Sequence, residues 1–244
     1  MIKLNITQQT SYRFQRHHPA LLAGQFLTVQ NKRQQPVRVV FTQSDIDSAC
    51  SLHCTAMALS ILDLAKGCAL EFMSRRKYGV PAEVWSLFAD SYFVGLEPRD
   101  FVVLLKQLTL PLQVTARFKG DCDLETFAVT HLMRGELVAL CFKSVAHSRT
   151  RHWSLGIGVS GKQRGQTAVP DTLLMLDPSC RTEPTFSVYN ARLKLPTHGA
   201  GSRQVVSAAK RQSARPLLWN YDSPEWSPEL VCLTGAVVLR RSDA

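Results

Sequence analysis

The order of hydrophobic patterns along the chain predicts an α+β fold, a helical half packed on an antiparallel sheet half. Three observations carry that expectation. Between residues 50 and 134 apolar positions recur mainly at helical spacing, interrupted by Gly and Pro. From residue 137 onward, short β-rich runs alternate with polar loops. Helices first and strands second is the arrangement in which the two kinds of element segregate into adjoining layers.

Residues 1–36 mix polar and apolar positions and read as an N-terminal extension with a short strand or two, followed by a strand at 37–41. Residues 50 to about 66 carry Leu52, Ala56, Leu59, Ile61, Leu62 and Leu64, the pattern of a helix buried on most of its surface, with Gly67 as its C-terminal cap. Residues 69–95 read as helical with a break near Gly79 and Pro81. Pro98 suits the first turn of a helix reaching Gln107. A strand at 110–118 and a helix at 124–134 follow, the latter closed by Gly135. Strands are then expected at 137–142, 152–159, 172–177 and 186–189, with a buried final strand at 230–239. Residues 196–229, rich in Pro, Gly, Ser and Arg, read as an exposed insertion, so residues 1–244 are expected to form a single domain.

With 45% hydrophobic and 20% charged residues, the composition is that of a globular protein and excludes a disordered chain. Twenty-nine Lys and Arg against 19 Asp and Glu give a formal charge of +10, which suits an anionic partner such as nucleic acid, a membrane surface or an acidic protein. The cations are scattered, at Arg75-Arg76-Lys77, Arg149 and Arg151, Lys162 and Arg164, Lys210-Arg211 and Arg240-Arg241. Scatter of this kind serves solubility more than it builds a nucleic-acid stripe. No run approaches the roughly 18 apolar residues of a membrane helix, so no membrane span is expected. Seven cysteines, odd in number and irregular in spacing, point to free thiols in a reducing cytosol. The expected location is cytoplasmic, or secreted without a signal peptide as an effector, since the first residues lack the apolar core of a signal sequence. Repeats and low-complexity tracts are absent from the sequence, and nothing in it sets an oligomeric state.

Four residues carry the chemistry. Cys50 stands where the helical periodicity begins, and a thiol at a helix N-terminus beside an imidazolium becomes a strong nucleophile. His152, at the head of a strand running through Trp153, Leu155, Ile157 and Val159, can take and return the proton. Asp177, ending the run Leu173-Leu174-Met175-Leu176, can accept the other ring N–H and fix the tautomer. Gln43, upstream of the thiol, can share an oxyanion hole with the Cys50 amide, a donor worth about 3 kcal/mol in a transition state.

The stretch Cys50-Ser-Leu-His-Cys-Thr-Ala-Met-Ala-Leu59 resembles the Cys-Gly-x-Ala-x-x-x-Met-x-Leu helix of the bacterial double-glycine leader peptidases, a papain-like group. Their His-Trp or His-Phe strand and their strand ending in Asp-Pro match His152-Trp153 and Asp177-Pro178. The chain departs from the pattern at Ser51, where the family has glycine, and in the six residues between Gln43 and Cys50. The resemblance covers three patches and implies a papain-like fold, a thiol protease mechanism through a Cys-His-Asp catalytic triad, and Gln43 as oxyanion donor. It further implies a peptide or protein substrate. Glutamine deamidation and acyl transfer use the same constellation, and a non-catalytic basic interaction module is the competing class.

Other assignments of the same residue types are weaker. Cys54 lies one turn deeper in the helix and reads as core. His147 sits in a polar loop, and Asp171 precedes its strand rather than ending it. His53 between Cys50 and Cys54 lacks the second ligand pair a zinc site requires, so neither metal nor other cofactor is expected. Trp85, Trp219 and Trp226 read as packing residues.

Overall fold

The computed structural model describes residues 11–30, 35–147, 151–196 and 217–242. Its elements run β1 (Ser11–His17), β2 (Leu21–Leu22), β3 (Thr28–Gln30), β4 (Pro36–Arg38), α1 (Cys50–Ile61), α2 (Gly67–Leu70), α3 (Val80–Phe88), α4 (Pro98–Gln107) and β5 (Leu112–Phe118). Then come α5 (Leu124–Met133), β6 (Leu137–Ser144), β7 (Arg151–Arg164), β8 (Thr167–Leu176), β9 (Ala191–Lys194), β10 (Leu218–Asp222) and β11 (Glu229–Arg241). Strands β2, β3 and β4 form a small separate sheet.

The large sheet overturns the expected fold class. Its strands follow the order β7-β6-β11-β10-β9-β8, and β8 pairs back onto β7, so six antiparallel strands close into a barrel. Helix makes up only about 25% of the structure, which is predominantly antiparallel β rather than a papain-like α+β fold of two comparable halves. Closure was hidden because it depends on pairings between distant strands. Two of the six were also misplaced. Residues 186–189 are irregular, with Phe186 at φ 52, and the strand begins only at Ala191. The segment 196–229, expected as an exposed insertion, contains β10, whose Trp219 and Tyr221 are buried in the barrel; residues 197–216 lie outside those described.

Bulges bend the strands enough to close. The β7–β8 register shifts between Gly156 and Gly158 and again between Ser160 and Gly161, and β11 shifts against β6 between Leu233 and Gly235. Each extra residue adds local twist and curvature. Strand β7 is long enough to serve three neighbours: residues 151–156 pair with β6, residues 158–164 with β1, and its other edge with β8. Gly158 is required there, because a Cβ would lie 2.1 Å from the Arg16 carbonyl oxygen of β1. The N-terminal segment is thus built into the sheet through β1 rather than appended to it.

Two apolar clusters follow from strand alternation. Val138, Leu140, Phe142, Val159, Leu173, Met175, Leu193, Trp219, Tyr221, Leu233 and Val238 share one cluster, drawn from all six barrel strands together with Leu124, Ala128 and Leu132 of α5. The alternate residues Leu137, Ala139, Cys141, Trp153, Leu155, Leu174 and Leu176 face the other cluster, with α1, α3 and α4. Every residue of α1 except His53 is buried, which matches a helix apolar all round its circumference. That helix ends at Ile61 rather than near residue 66, its chain turning at Asp63 with φ 52, and Gly67 opens α2 instead of capping α1. The expected strand 37–41 is limited to Pro36–Arg38. No helix among the described residues is long and apolar enough to cross a membrane.

Candidate active site

Strand parity places the basic and acidic groups together. Phe142 pairs with His152 across β6 and β7, and Leu155 pairs with Leu176 across β7 and β8. His152 and Ser154 therefore share a face of β7, and Asp177 shares the face of Leu173 and Met175 on the neighbouring strand. His152 and Asp177 meet at one end of this strand pair, His152 Nε2 lying 2.7 Å from Asp177 Oδ1. Phe142 packs edge-on against the imidazole at 5.5 Å. Cys50, the first residue of α1, a helix that packs on β7, lines the same cleft as the imidazole, and its Sγ lies 3.9 Å from the Ser48 carbonyl oxygen.

Asp177 is 1% exposed, and its carboxylate is saturated with donors. Oδ1 receives the Ser179 amide at 2.9 Å and the Ser179 hydroxyl at 2.7 Å in addition to the imidazole. Oδ2 receives the Ser154 hydroxyl at 2.8 Å and the Tyr221 hydroxyl at 2.8 Å. The Asp177 backbone is locked as well: its N–H donates to Asn190 Oδ1 at 2.7 Å, and its carbonyl accepts from Asn190 Nδ2 at 3.0 Å. A buried carboxylate is tolerated only when its lone pairs are so occupied.

The protonation states follow from these contacts. Burial works against charge on His152, but the Asp177 carboxylate and its hydrogen bond, with the contact to Cys50, outweigh it and raise the imidazole to about 10. Burial likewise opposes ionisation of Asp177, yet His152 and the hydroxyls of Ser179 and Ser154 hold it well below the ordinary carboxylate range. Burial and the Asp177 charge push the Tyr221 phenol far up, so it remains a donor. The pair is an imidazolium and a carboxylate at neutral pH.

Gln43 stands on the same site. Its backbone N–H donates to the Pro178 carbonyl at 2.7 Å, and its side-chain Nε2 donates to the Asp47 carbonyl at 2.9 Å, leaving one amide hydrogen unassigned. Its Oε1 is buried without a partner. Asp47 organises the loop between Gln43 and the thiol: its carboxylate accepts from the Ser44 amide at 2.8 Å, the Ser44 hydroxyl at 2.6 Å, the Ala49 amide at 3.0 Å and the Tyr92 hydroxyl at 3.3 Å. It thereby captures the backbone N–H just ahead of α1, the position where helix amides lack internal acceptors. Cys50, Gln43, His152, Ser179, Tyr221 and Trp226 all line one cleft of about 1000 Å³.

No family model matches the chain, and no curated protein matches it. The site therefore stands on its own geometry.

Each residue picked out by sequence can be located against that geometry. Gln43, Cys50, His152 and Asp177 all converge. Cys54 is fully buried, and burial raises its thiol far above the ordinary range. His147 lines the cleft but is exposed, and its backbone N–H donates to the Ser144 hydroxyl at 3.1 Å. Asp171 is engaged with Arg13 on the outer edge of the sheet. His53 has a buried, unpartnered Nε2, and among the described residues no group of three or more His, Cys, Asp or Glu is placed to hold a metal. Trp219 is buried, whereas Trp226, expected as packing, is 56% exposed at the cleft.

Sequence reasoning missed Asp47, Ser154, Ser179, Asn190 and Tyr221. Ser154 carried a usable signal, since two residues along a strand returns to the face of His152. Tyr221 carried none, because it lies in the segment read as an insertion.

Proposed function

We propose that the chain is a cysteine hydrolase acting on a peptide or protein substrate, with peptide-bond cleavage as its reaction. The observation that carries the reading is the imidazole of His152, held at 2.7 Å by a buried, fully satisfied Asp177, on the same cleft as the Cys50 thiol at the start of α1. A cation beside the sulfur favours the thiolate, which is the nucleophilic form. Cys50 Sγ adds to the substrate carbonyl carbon, and the oxyanion is met by the Gln43 side-chain amide and the Cys50 backbone N–H. His152 gives its proton to the leaving amine as the thioester forms. It then draws a proton from water, whose oxygen attacks the thioester and releases the acid and the Cys50 thiolate. Asp177 keeps its negative charge throughout and holds the ring in place.

Alkylation by iodoacetamide at pH 6, read by mass spectrometry, tests the reading. The proper reference thiols are the exposed Cys68 and Cys122, because buried Cys141, raised to about 12 by burial, would be slow for reasons of access alone. Cys50 is expected to react ahead of both, and His152→Ala to remove that lead. Equal rates at Cys50 and the two exposed thiols would overturn the proposal.

A further inference from the structure

A second cavity of about 410 Å³ adjoins the cleft, and the two share Glu97 and Arg151 as lining residues. Glu97 and Arg151 are ion-paired, so they form a common wall. On the far side the cavity is lined by Arg99 of the first turn of α4, Lys119 after β5, and Lys143 of β6. Among the described residues none of these three has a carboxylate partner; Arg99 lies instead over the Phe118 ring, 4.8 Å from its centroid. Several cations elsewhere are paired: Arg13 with Asp171, Arg38 with Glu183, Arg117 with Asp123, Arg181 with Asp45, and Arg192 with Asp222. Three unpaired cations gathered in a concavity raise the local potential far more than the same charges scattered over the surface.

We propose that this cavity is a subsite for acidic side chains, Asp or Glu, on the peptide that enters the cleft. The inference rests on the hydrolase reading and names its substrate class. Nucleic acid fits less well. The cavity is small, and Glu97 and Asp100 also line it, which disfavours a run of phosphates. A carboxylate or two on a short extended chain matches its size and its mixture of charges.

The test uses iodoacetyl hexapeptides of Gly and Ser, with the reactive group at either end and a pair of Glu walked through the sequence, beside a matched Gln series. Labelling at Cys50 is expressed relative to the same variant's own rate with iodoacetamide. At one placement the Glu peptide is expected to label about five- to tenfold faster than its Gln counterpart, the size of one or two partly exposed ion pairs. That advantage is expected to shrink as salt rises to about 0.5 M, and to vanish in Lys119→Glu/Lys143→Glu. If iodoacetamide itself fails to single out Cys50, the hydrolase reading falls. If iodoacetamide does so but no Glu placement outpaces Gln, the subsite alone is refuted. Competition by a short single-stranded oligonucleotide stronger than by a free Glu peptide would likewise overturn it in favour of a phosphate site. If the double variant loses its fold by circular dichroism, Lys119→Gln and Lys143→Gln singly are each expected to halve the Glu advantage or more, and an undiminished advantage in both refutes the subsite.

Discussion

Ser179 shows how closely the proposed acid–base pair is held. Its hydroxyl lies 2.7 Å from Asp177 Oδ1 and 3.1 Å from His152 Nε2, so it donates to the carboxylate while standing beside the imidazolium N–H. With Tyr221 and Ser154 on the other carboxylate oxygen, the charge of Asp177 is fixed before any substrate arrives. This arrangement has a thermodynamic signature in pH. His152 has a folded value of about 10 against an ordinary 6.5, so its stabilisation is complete below about 6.5 and is lost as pH rises towards 10. Asp177 is depressed, so its contribution is present above its ordinary value of 3.8 and is lost as pH falls below it. The two shifts describe one ion pair and do not add. The melting temperature is therefore expected to be highest between about pH 4 and 6.5 and to fall on the alkaline side. Asp177→Asn is expected to flatten the alkaline decline and to lower stability at pH 6 by about 3–5 kcal/mol, the cost of breaking a buried pair. An unchanged alkaline slope in that variant would show that the imidazolium is not held by Asp177.

At the scale of the element, β7 carries the greatest constraint, serving β6, β1 and β8 while delivering His152 and Ser154 to the site. Gly158→Ala is expected to cost several kcal/mol or to detach β1, because the added methyl meets the Arg16 carbonyl at 2.1 Å; a melting curve together with amide exchange in residues 11–17 would show it. A variant as stable as the wild type, with β1 amides still protected, would contradict this account. Much at this scale was legible in sequence. Pro98 does open α4, and the runs at 137–142, 152–159 and 172–177 are strands, because their patterns answer to a local period. The errors have local causes too. Leu62 and Leu64 continued the apolar spacing of α1 past the turn at Asp63, and β9, only four residues long, offers too short a pattern to read. The four proposed site residues were legible for a different reason: their types are rare in such contexts, and their order along the chain is informative.

For the whole molecule, the sequence was silent on the feature that matters most. The β7–β8 hairpin, turning at Gly165-Gln166, brings His152 to Asp177, but nothing in β6 or β11 reveals that these two, far apart in the chain, will pair to close the barrel. Tyr221 reaches the same carboxylate from β10, separated from β8 in the sheet by β9, because closure folds the six strands around a shared interior. A period of two tells which face a residue occupies and not which strand stands opposite. The supporting groups around Asp177 were therefore beyond sequence reasoning, while the pair they support was within it.

The backbone hydrogen bond from Gln43 to Pro178 ties the loop before α1 directly to the loop after β8. The Cys50 thiol and the His152–Asp177 pair are carried on different layers, and this amide is a stitch between them. Its protection from solvent deuterium is thus a direct gauge of how often the two layers part. Exchange at Gln43 is expected to track that of the β7 and β8 amides if the layers open only together with the barrel. Faster exchange at Gln43 alone would reveal a hinge at which the thiol departs from its imidazole while the barrel stays closed.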